Sequence, residues 1–354
     1  MSVNIREKNI KAFRERKWGV MCHYLHHHQN NPKHFSNEGV GETAFNDMID
    51  DFDVQGLAKQ LHEIGAGYLL FTIMQGTQYM CAPNETYDKI TGYKAGEACS
   101  KRDLPLELYE ELKKYDIDLY LYFTGDGPHK DEKGGRAIGY YDGDKHETMH
   151  ACAVEWIEKH SFSSDNYKSI CDDKFIQNWS SVLKEYAERY KGKVKGWWID
   201  GCYRYFGYTD ENLKIYRDVL KNADENYLIT FNDGFPLEEE LFHHCEPRQH
   251  RYSVWEDYTA GETIAFNIFP DGPYVGGSQW HIASTLSGRT KESFGWNDAD
   301  VCYSLEFMQN YLETVWGQGG VVTFGLGTRR CGLLWEKQVE FLKELNSICK
   351  KEEI

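Results

Sequence analysis

Short apolar segments alternate with amphipathic helical patterns along the whole chain. Eight apolar segments have the length of buried strands and are bounded by Gly, Asp or Asn. These predicted strands are Trp18–Tyr24, Gly67–Ile73, Asp118–Thr124, Val194–Asp200, Tyr227–Asn232, Arg251–Glu256, Ser278–Ala283 and Gly320–Phe324. Seven further segments repeat apolar residues at helical spacing. These predicted helices are Asp53–Ile64, Leu106–Tyr115, Lys174–Tyr190, Glu211–Leu220, Leu237–His243, Ala299–Trp316 and Trp335–Ile348.

This alternation indicates a buried parallel sheet covered by helices. Eight strands predict an α/β fold of the (β/α)8 TIM-barrel type, formed by residues 1–354 as a single domain. A doubly wound sheet is the alternative, but no G-x-G-x-x-G motif follows the first strand. A barrel needs about 250 residues, so the surplus lies in loops after strands one, two, three and six. Those loops are Leu25–Asp50, Met74–Lys101, Gly125–Asp172 and Asp257–Gly277.

Composition narrows the range of partners. The chain carries 40 Lys and Arg residues against 56 Asp and Glu residues, a formal net charge of −16. Nucleic acids and anionic membranes attract basic surfaces, so neither is expected as a partner. No apolar run approaches the ~20 residues of a membrane span, and the charged N-terminus lacks the apolar core of a secretory signal. Ten cysteines without a C-x-x-C pair are typical of reduced thiols. We therefore expect a cytoplasmic protein, with its oligomeric state left open.

Carboxylates follow several predicted strands, at the end of a barrel where active sites lie. Asp200 ends the fourth strand in the sequence WWIDG, beside two tryptophans. Glu256 ends the sixth strand, and Glu262 follows shortly after it. Because paired carboxyl groups cleave glycosidic bonds, Asp200 is a candidate nucleophile or general acid/base. The proton donor could be Glu256, Asp257 or Glu262, which the pattern does not rank. The simpler interpretation of Asp200 is a helix cap or a turn residue.

Aromatic residues amount to 15% of the chain, a high share for a sequence of mean hydropathy −0.65. Rings near strand ends can stack on the flat C–H faces of a sugar. The candidate platforms are Trp198, Tyr203, Trp255 and Trp280. Ordinary core packing is the alternative interpretation for each of them.

Several polar residues at strand ends are candidate ligand contacts. His23 ends the first strand and is followed by His26-His27-His28. Adjacent histidines cannot present three rings to one ion on a regular element, so a polar pocket mouth is favoured over a metal site. No metal and no cofactor are expected. Asp233 lies in an Asn-Asp-Gly turn signal, and Arg329 could bind an anionic group or pair with surface acids.

A series of short motifs, in shared order, resembles one known family. The segments GVMCHY, RDL, WWIDG, FNDG and DYTAGE resemble the family patterns G-(I/L)-F-x-H-W, RDLV, LWFDG, VNDR and GDYxTPE. Further resemblance covers most of residues 18–345. The family is that of the α-L-fucosidases, glycoside hydrolase family 29. The resemblance implies a barrel, a retaining mechanism with Asp200 as nucleophile, and Glu262 at the TPE position as acid/base, with Glu256 as the alternative.

The sequence also departs from the family pattern. The family's K-H-H-D-G-F signature, whose histidines bind fucose, would fall at residues 74–79, where Gln75 and Tyr79 become the candidate contacts. His281 replaces the Glu of a WE motif and is therefore a candidate substrate contact. The family's C-terminal β-sandwich has no counterpart in the sequence. The resemblance implies a carbohydrate substrate. Its glycone is either fucose or a different sugar. A catalytically silent sugar-binding barrel and a metal-dependent hydrolase using His23 and His26–His28 are the alternatives.

Overall fold

The computed structural model describes residues 4–140, 172–203, 207–234, 250–263, 265–288 and 295–352. Within these residues the strands are β1 (Trp18–Cys22), β2 (Tyr68–Thr72), β3 (Asp118–Thr124), β4 (Gly196–Asp200), β5 (Leu228–Phe231), β6 (Tyr274–Val275), β7 (Ser278–Gln279), β8 (His281–Thr285) and β9 (Val321–Leu326). The helices are α1 (Ile5–Glu15), α2 (His26–Gln29), α3 (Phe45–Asp50), α4 (Val54–Ile64), α5 (Glu85–Thr91), α6 (Leu104–Leu112), α7 (Glu132–Ile138), α8 (Asp173–Arg189), α9 (Asp210–Ala223), α10 (Leu305–Gly317) and α11 (Glu336–Glu352).

Seven strands form one parallel sheet in the order β5-β4-β3-β2-β1-β9-β8. Residues 257–263, the bridging segment, connect its two edges. The amide of Asp257 donates to the carbonyl of Ile229 in β5, and Glu262 forms a parallel bridge with Ala283 in β8. The bridging segment therefore occupies the sixth of eight positions around the barrel. This confirms the predicted (β/α)8 barrel type, which has an upper end where the strands finish and a lower end where they begin.

The predicted sixth strand, Arg251–Glu256, is wrong. This segment forms turns, because the Arg251 guanidinium donates to the carbonyls of Ser253 and Val254 and folds the chain back on itself. The predicted loop Asp257–Gly277 accordingly begins with the sixth barrel segment. Its sequence contains polar and small residues instead of an apolar run, which explains why the pattern missed it.

The lower end of the barrel is covered by α1. Its Phe13 ring packs against Tyr68, Tyr120 and Tyr258, whose ring centroids lie 5.2, 5.3 and 5.0 Å away. Asp257, at the start of the bridging segment, is paired with Arg6 of the same helix. The N-terminal helix therefore fills the base of the barrel with an aromatic cluster.

The helix predictions agree closely with the structure where the chain is described. The predicted helix Ala299–Trp316 begins later, at Leu305, because the hydroxyl of Ser304 caps it by accepting from the Phe307 amide. The predicted helix Leu237–His243 lies outside the described residues. Among the helices that can be described, none combines the length and the apolar character needed to cross a membrane.

Arg330 fastens the long loop after β1 to the upper end of the barrel. Its buried guanidinium donates to the carbonyl of Gln29, to Asn30 Oδ1 and to the hydroxyl of Thr43, and it pairs with Asp51. Four acceptors from one loop thus converge on a side chain that is only 3% exposed. This contact fixes α2 and its histidines beside the strand ends.

Candidate active site

Asp200 ends β4 and points to the barrel interior, where it is buried. The hydroxyl of Tyr122 in β3 donates to its Oδ2, and the Asn232 amide after β5 donates to its Oδ1 at 2.8 Å. Gln75 and Tyr203 lie at 3.4 Å from the same carboxylate. These donors come from four chain segments, so the ends of neighbouring parallel strands converge on Asp200. A carboxylate held by so many donors has a fixed orientation.

Glu262 faces Asp200 across a single amide group. The nitrogen Nδ2 of Asn232 donates to Asp200 Oδ1 at 2.8 Å and to Glu262 Oε2 at 2.5 Å. The two carboxylate oxygens can be no further apart than these two bonds laid end to end. That limit agrees with the separation of about 5–5.5 Å between the carboxyl groups of retaining glycosidases. Trp296 Nε1 holds the other oxygen of Glu262 at 3.0 Å.

Burial and neighbouring negative charge raise the pKa of both carboxyl groups. Burial raises the pKa of Asp200, against the stabilising hydrogen bonds from Tyr122 and Asn232. Burial and then the negative charge of Asp200 raise the pKa of Glu262 to about 8. Glu262 is therefore protonated at neutral pH. Asp200 is surrounded by hydrogen-bond donors, whereas Glu262 keeps its proton. Acid/base chemistry by two carboxyl groups requires this difference between them.

Aromatic rings form the walls around this pair. Tyr122 stacks on Trp198 with centroids 5.4 Å apart, and His23 lies 5.4 Å from both Tyr122 and Trp296. Gly325 in β9 provides space for Trp296, because a Cβ there would come within 2.5 Å of the indole. Burial lowers the pKa of His23 to about 4, so its ring is neutral. The wall therefore presents apolar faces and a neutral polar ring.

Further predicted contacts lie at the mouth of this site. His26 stacks on Tyr79 with centroids 3.9 Å apart, so the loops after β1 and β2 meet there. Asp233 directly follows Asn232 and lies 2.9 Å from His250. The Tyr203 ring, which reaches Asp200, also covers Gly234.

Glu256 is not placed to act with Asp200, which corrects the alternative acid/base assignment. It precedes the bridging segment instead of ending a strand. Its carbonyl oxygen lies 3.5 Å from the Arg6 guanidinium of α1, and its carboxylate accepts from the Tyr252 amide. Among the described residues, no hydrogen bond joins Glu256 to Asp200 or Glu262.

Four other predicted contacts also lie away from the site. Trp255 packs outside the barrel, beneath Lys214 and Arg217 of α9. Trp280 is buried against Gly320 in the layer between sheet and helices. Nearness to a predicted strand end does not specify the face of the strand, so the prediction of these two rings as sugar platforms is wrong.

His281 and Arg329 are the remaining two. His281 begins β8 near the base of the barrel, with its ring nitrogens 2.8 Å from the carbonyl of Thr259 and 2.7 Å from the hydroxyl of Thr323. Arg329 pairs at the surface with Glu38 and with Glu336 of α11. The substitution of His281 for a family glutamate therefore concerns the core of the barrel.

The sequence interpretation missed Tyr122, Asn232 and Trp296 as site residues. Alternation along the apolar segment 118–124 places Tyr122 on the same face as Tyr120, and this parity was the available signal. Asn232 directly follows a strand, next to the candidate Asp233. Trp296 lies in a long loop, and no local pattern predicts its contact with Glu262.

Histidines 26–28 occupy one short helix and their rings point to different neighbours. The His28 ring stacks on His34 with centroids 4.6 Å apart, and its Nδ1 lies 2.6 Å from the Asn297 amide. Throughout the part of the chain that the structure describes, no three His, Cys, Asp or Glu side chains are grouped to hold a metal ion.

A parallel barrel with two facing carboxyl groups at its upper end is the arrangement found in retaining glycoside hydrolases. The profile of the α-L-fucosidase family matches residues 3–352. The chain belongs to the α-L-fucosidase family, as the motifs of the sequence predicted. No curated protein sequence matches it significantly.

Solved structures with the same fold share little sequence with this chain. The α-L-fucosidase AlfC, solved as a point variant in complex with Fuca(1,6)GlcNAc, is 17% identical with a TM-score of 0.63, covering 98% of this chain and 99% of its own. The endo-fucoidan hydrolase P5AFcnA of family 107 is 14% identical with a TM-score of 0.64, covering 98% and 94%. An α-L-fucosidase from Bacteroides thetaiotaomicron, a trapped covalent intermediate with 2-fluoro-fucosyl fluoride, is 14% identical with a TM-score of 0.59, covering 98% and 75%.

Proposed function

We propose that this protein is a retaining glycosidase that hydrolyses α-L-fucosides, with Asp200 as nucleophile and Glu262 as acid/base. The observation that carries the proposal is the Asn232 amide, which donates to both carboxyl groups and limits their separation. Family membership supports the substrate class. The covalent intermediate trapped in the Bacteroides thetaiotaomicron fucosidase supports the retaining course.

In the first step, an oxygen of Asp200 attacks the anomeric carbon while the bond from that carbon to the leaving oxygen breaks. Protonated Glu262 gives its proton to the leaving oxygen, so the aglycone departs as a neutral alcohol. The product is a glycosyl ester on Asp200 and an ionised Glu262. Donation from Tyr122 and Asn232 favours the ionised Asp200 that attacks.

In the second step, the ionised Glu262 takes a proton from a water molecule, and the oxygen of this water attacks the anomeric carbon. The ester bond to Asp200 breaks and its electron pair returns to the carboxylate. Two inversions leave the sugar with its original configuration, and Glu262 is protonated again. Trp296 keeps Glu262 in the same position for both steps through its 3.0 Å hydrogen bond.

The pocket wall differs from the family pattern where Gln75 stands. Its amide lies 3.4 Å from Asp200, so it can contact both the nucleophile and a sugar hydroxyl. A silent sugar-binding barrel is the second candidate, favoured by the absence of the two motif histidines at residues 74–79.

We also propose a cytoplasmic location, consistent with reduced thiols at the seven described cysteines.

The test is hydrolysis of aryl α-L-fucosides and of fucosylated disaccharides by the wild-type protein and by Asp200→Asn. We expect wild-type turnover, a loss of kcat of at least about a thousandfold in the variant, and a fluorofucosyl ester on Asp200 detected by peptide mass spectrometry. The exposed Asp271→Asn variant is the matched control and should keep full activity. Sugar binding by calorimetry without turnover or ester formation would favour the silent barrel and overturn the proposal.

A further inference from the structure

A buried Asp–His pair lies beside Asp200, in the loop after β3. The carboxylate of Asp126 accepts a hydrogen bond from the hydroxyl of Thr124, and its Oδ2 lies 3.1 Å from Nδ1 of His129. Both side chains are largely buried, with exposed fractions of 12% and 11%. Neither takes part in the two chemical steps proposed above, so the pair needs a separate explanation.

Two glycines of positive φ lie directly against this pair, and one of them follows Asp200 in the chain. Gly201, which directly follows Asp200, has a φ of 68°, and a Cβ there would lie 2.8 Å from the carboxyl carbon of Asp126. Gly76, in the loop after β2, has a φ of 71°, and a Cβ there would lie 2.7 Å from the His129 ring. Side chains are excluded at both positions. The pair can therefore lie close to the backbone of both turns, one of which directly follows Asp200.

The charges around Asp200 make this closeness important. The carboxyl group of Asp200 faces the carboxyl groups of Asp126 and Glu262 and the phenols of Tyr122 and Tyr203. After burial, which is the largest cause, the negative charge of Asp126 contributes to the raised pKa of Asp200. An unbalanced Asp126 therefore opposes the ionised form of Asp200 that nucleophilic attack requires.

His129 is the main group that offsets the charge of Asp126, and the adjacent Lys130 acts more weakly in the same direction. Burial alone would raise the pKa of Asp126, but the charge and hydrogen bond of His129 hold it below its ordinary value. The other groups near His129 are His27 of α2, the Tyr140 ring and the adjacent Lys130.

We propose that the Asp126–His129 pair is an electrostatic positioning unit, in which His129 offsets the negative charge of Asp126 and thereby favours the ionised Asp200 that attacks. This inference rests on the proposed function, since the charge of Asp200 governs turnover only if Asp200 is the nucleophile. The pair acts through Asp200 and through the two glycine turns, without touching the substrate.

The two members of the pair should shift the pH profile in opposite directions when they are replaced. In His129→Gln the charge of Asp126 is unbalanced, so the acidic limb of kcat/KM should move to higher pH by about one unit. In Asp126→Asn the repulsion is gone, so the same limb should move to lower pH by a similar amount. The exposed variants His62→Gln and Asp271→Asn are matched controls and should leave the limb unchanged.

A second measurement needs no turnover. Proteins labelled with ¹³C at the aspartate carboxyl carbon are titrated by NMR, with the Asp200 signal assigned from Asp200→Asn, and its midpoint should shift in the same opposite directions. Thermal melting confirms that the variants are folded. If the wild-type protein cleaves no fucoside, the proposed function fails, whereas the NMR titration still decides the inference. Shifts of the same sign in both variants, or no shift in folded variants, would overturn the inference alone.

Discussion

Tyr122 donates its phenolic hydrogen to Asp200, and the two residues lie at interior positions of neighbouring strands. A hydrogen bond to a charged group contributes about 1.5–3 kcal/mol. We therefore expect Tyr122→Phe to lower kcat about tenfold to a hundredfold and to move the acidic limb of the pH profile to higher pH. The matched control is Tyr120→Phe in the same strand, which packs on Phe13 at the base. Equal effects of the two variants would contradict a specific role for the hydrogen bond from Tyr122 to Asp200.

Glu262 should determine the alkaline limb of the pH profile. Its pKa is raised to about 8 by burial and by Asp200, and the first chemical step needs its protonated form. Activity should therefore be present below this pH and decline as the pH rises through about 8. Glu262→Gln should remove the alkaline limb and lower kcat/KM by about 10²–10⁴ for poor leaving groups.

Glu256 offers a matched control for this prediction. It is also a buried carboxyl whose pKa is raised to about 8, chiefly by burial, but it precedes the bridging segment and lies away from Asp200. Glu256→Gln should keep the alkaline limb of the wild-type protein. If the limb disappears in this variant and persists in Glu262→Gln, the acid/base assignment is wrong.

The buried ring of His281 should make the fold sensitive to acid. Burial lowers its pKa to about 4, below the value of about 6.5 expected in an unfolded chain. Between these values the unfolded state binds more protons, so stability is lost as the pH falls from about 6.5 towards 4, by about 2–3 kcal/mol at pH 4.5. Urea unfolding at pH 7 and pH 4.5 should show a smaller pH dependence in His281→Asn. An unchanged pH dependence would exclude His281 as a source.

Arg330 and Arg329 are adjacent but should differ greatly in their contribution to stability. Arg330→Met leaves buried acceptors of the β1 loop without a donor, so the free energy of unfolding should fall by about 2 kcal/mol or more. Arg329→Met breaks ion pairs with Glu38 and Glu336 near the surface and should cost at most about 1 kcal/mol. Urea denaturation of both variants makes the comparison. Similar losses would contradict the anchoring role of Arg330.

The alternation of apolar and helical segments was sufficient to predict the barrel, because fully buried parallel strands are continuous apolar runs. It failed at the sixth position for the same reason. Residues 257–263 read DYTAGET, which contains no such run, whereas the turn at residues 251–256 contains Tyr, Val and Trp. Hydrogen bonds from Arg251 decide the turn, and these depend on the folded geometry.

The sequence predicts the site residues that lie at strand ends. It does not predict which side of a strand points into the barrel. Asp200, His23 and Gln75 each follow or end a strand, and parallel strands bring their ends together. Trp280 lies beside the interior residue His281, but on the opposite face. Both faces of a barrel strand are apolar, so composition cannot tell which ring points inward. Trp296 reaches Glu262 from a distant loop, a contact that only the folded chain defines.

The aromatic cluster beneath the barrel has a kinetic consequence. Phe13 packs against three tyrosine rings at the lower end of the barrel, so this end is filled with side chains. In a retaining glycosidase of this form, the aglycone leaves first by the upper face, water arrives by the same route, and the free monosaccharide departs last. For the proposed glycosidase, the released sugar and the next substrate bind the same site of the free enzyme, so the monosaccharide is expected to inhibit hydrolysis competitively.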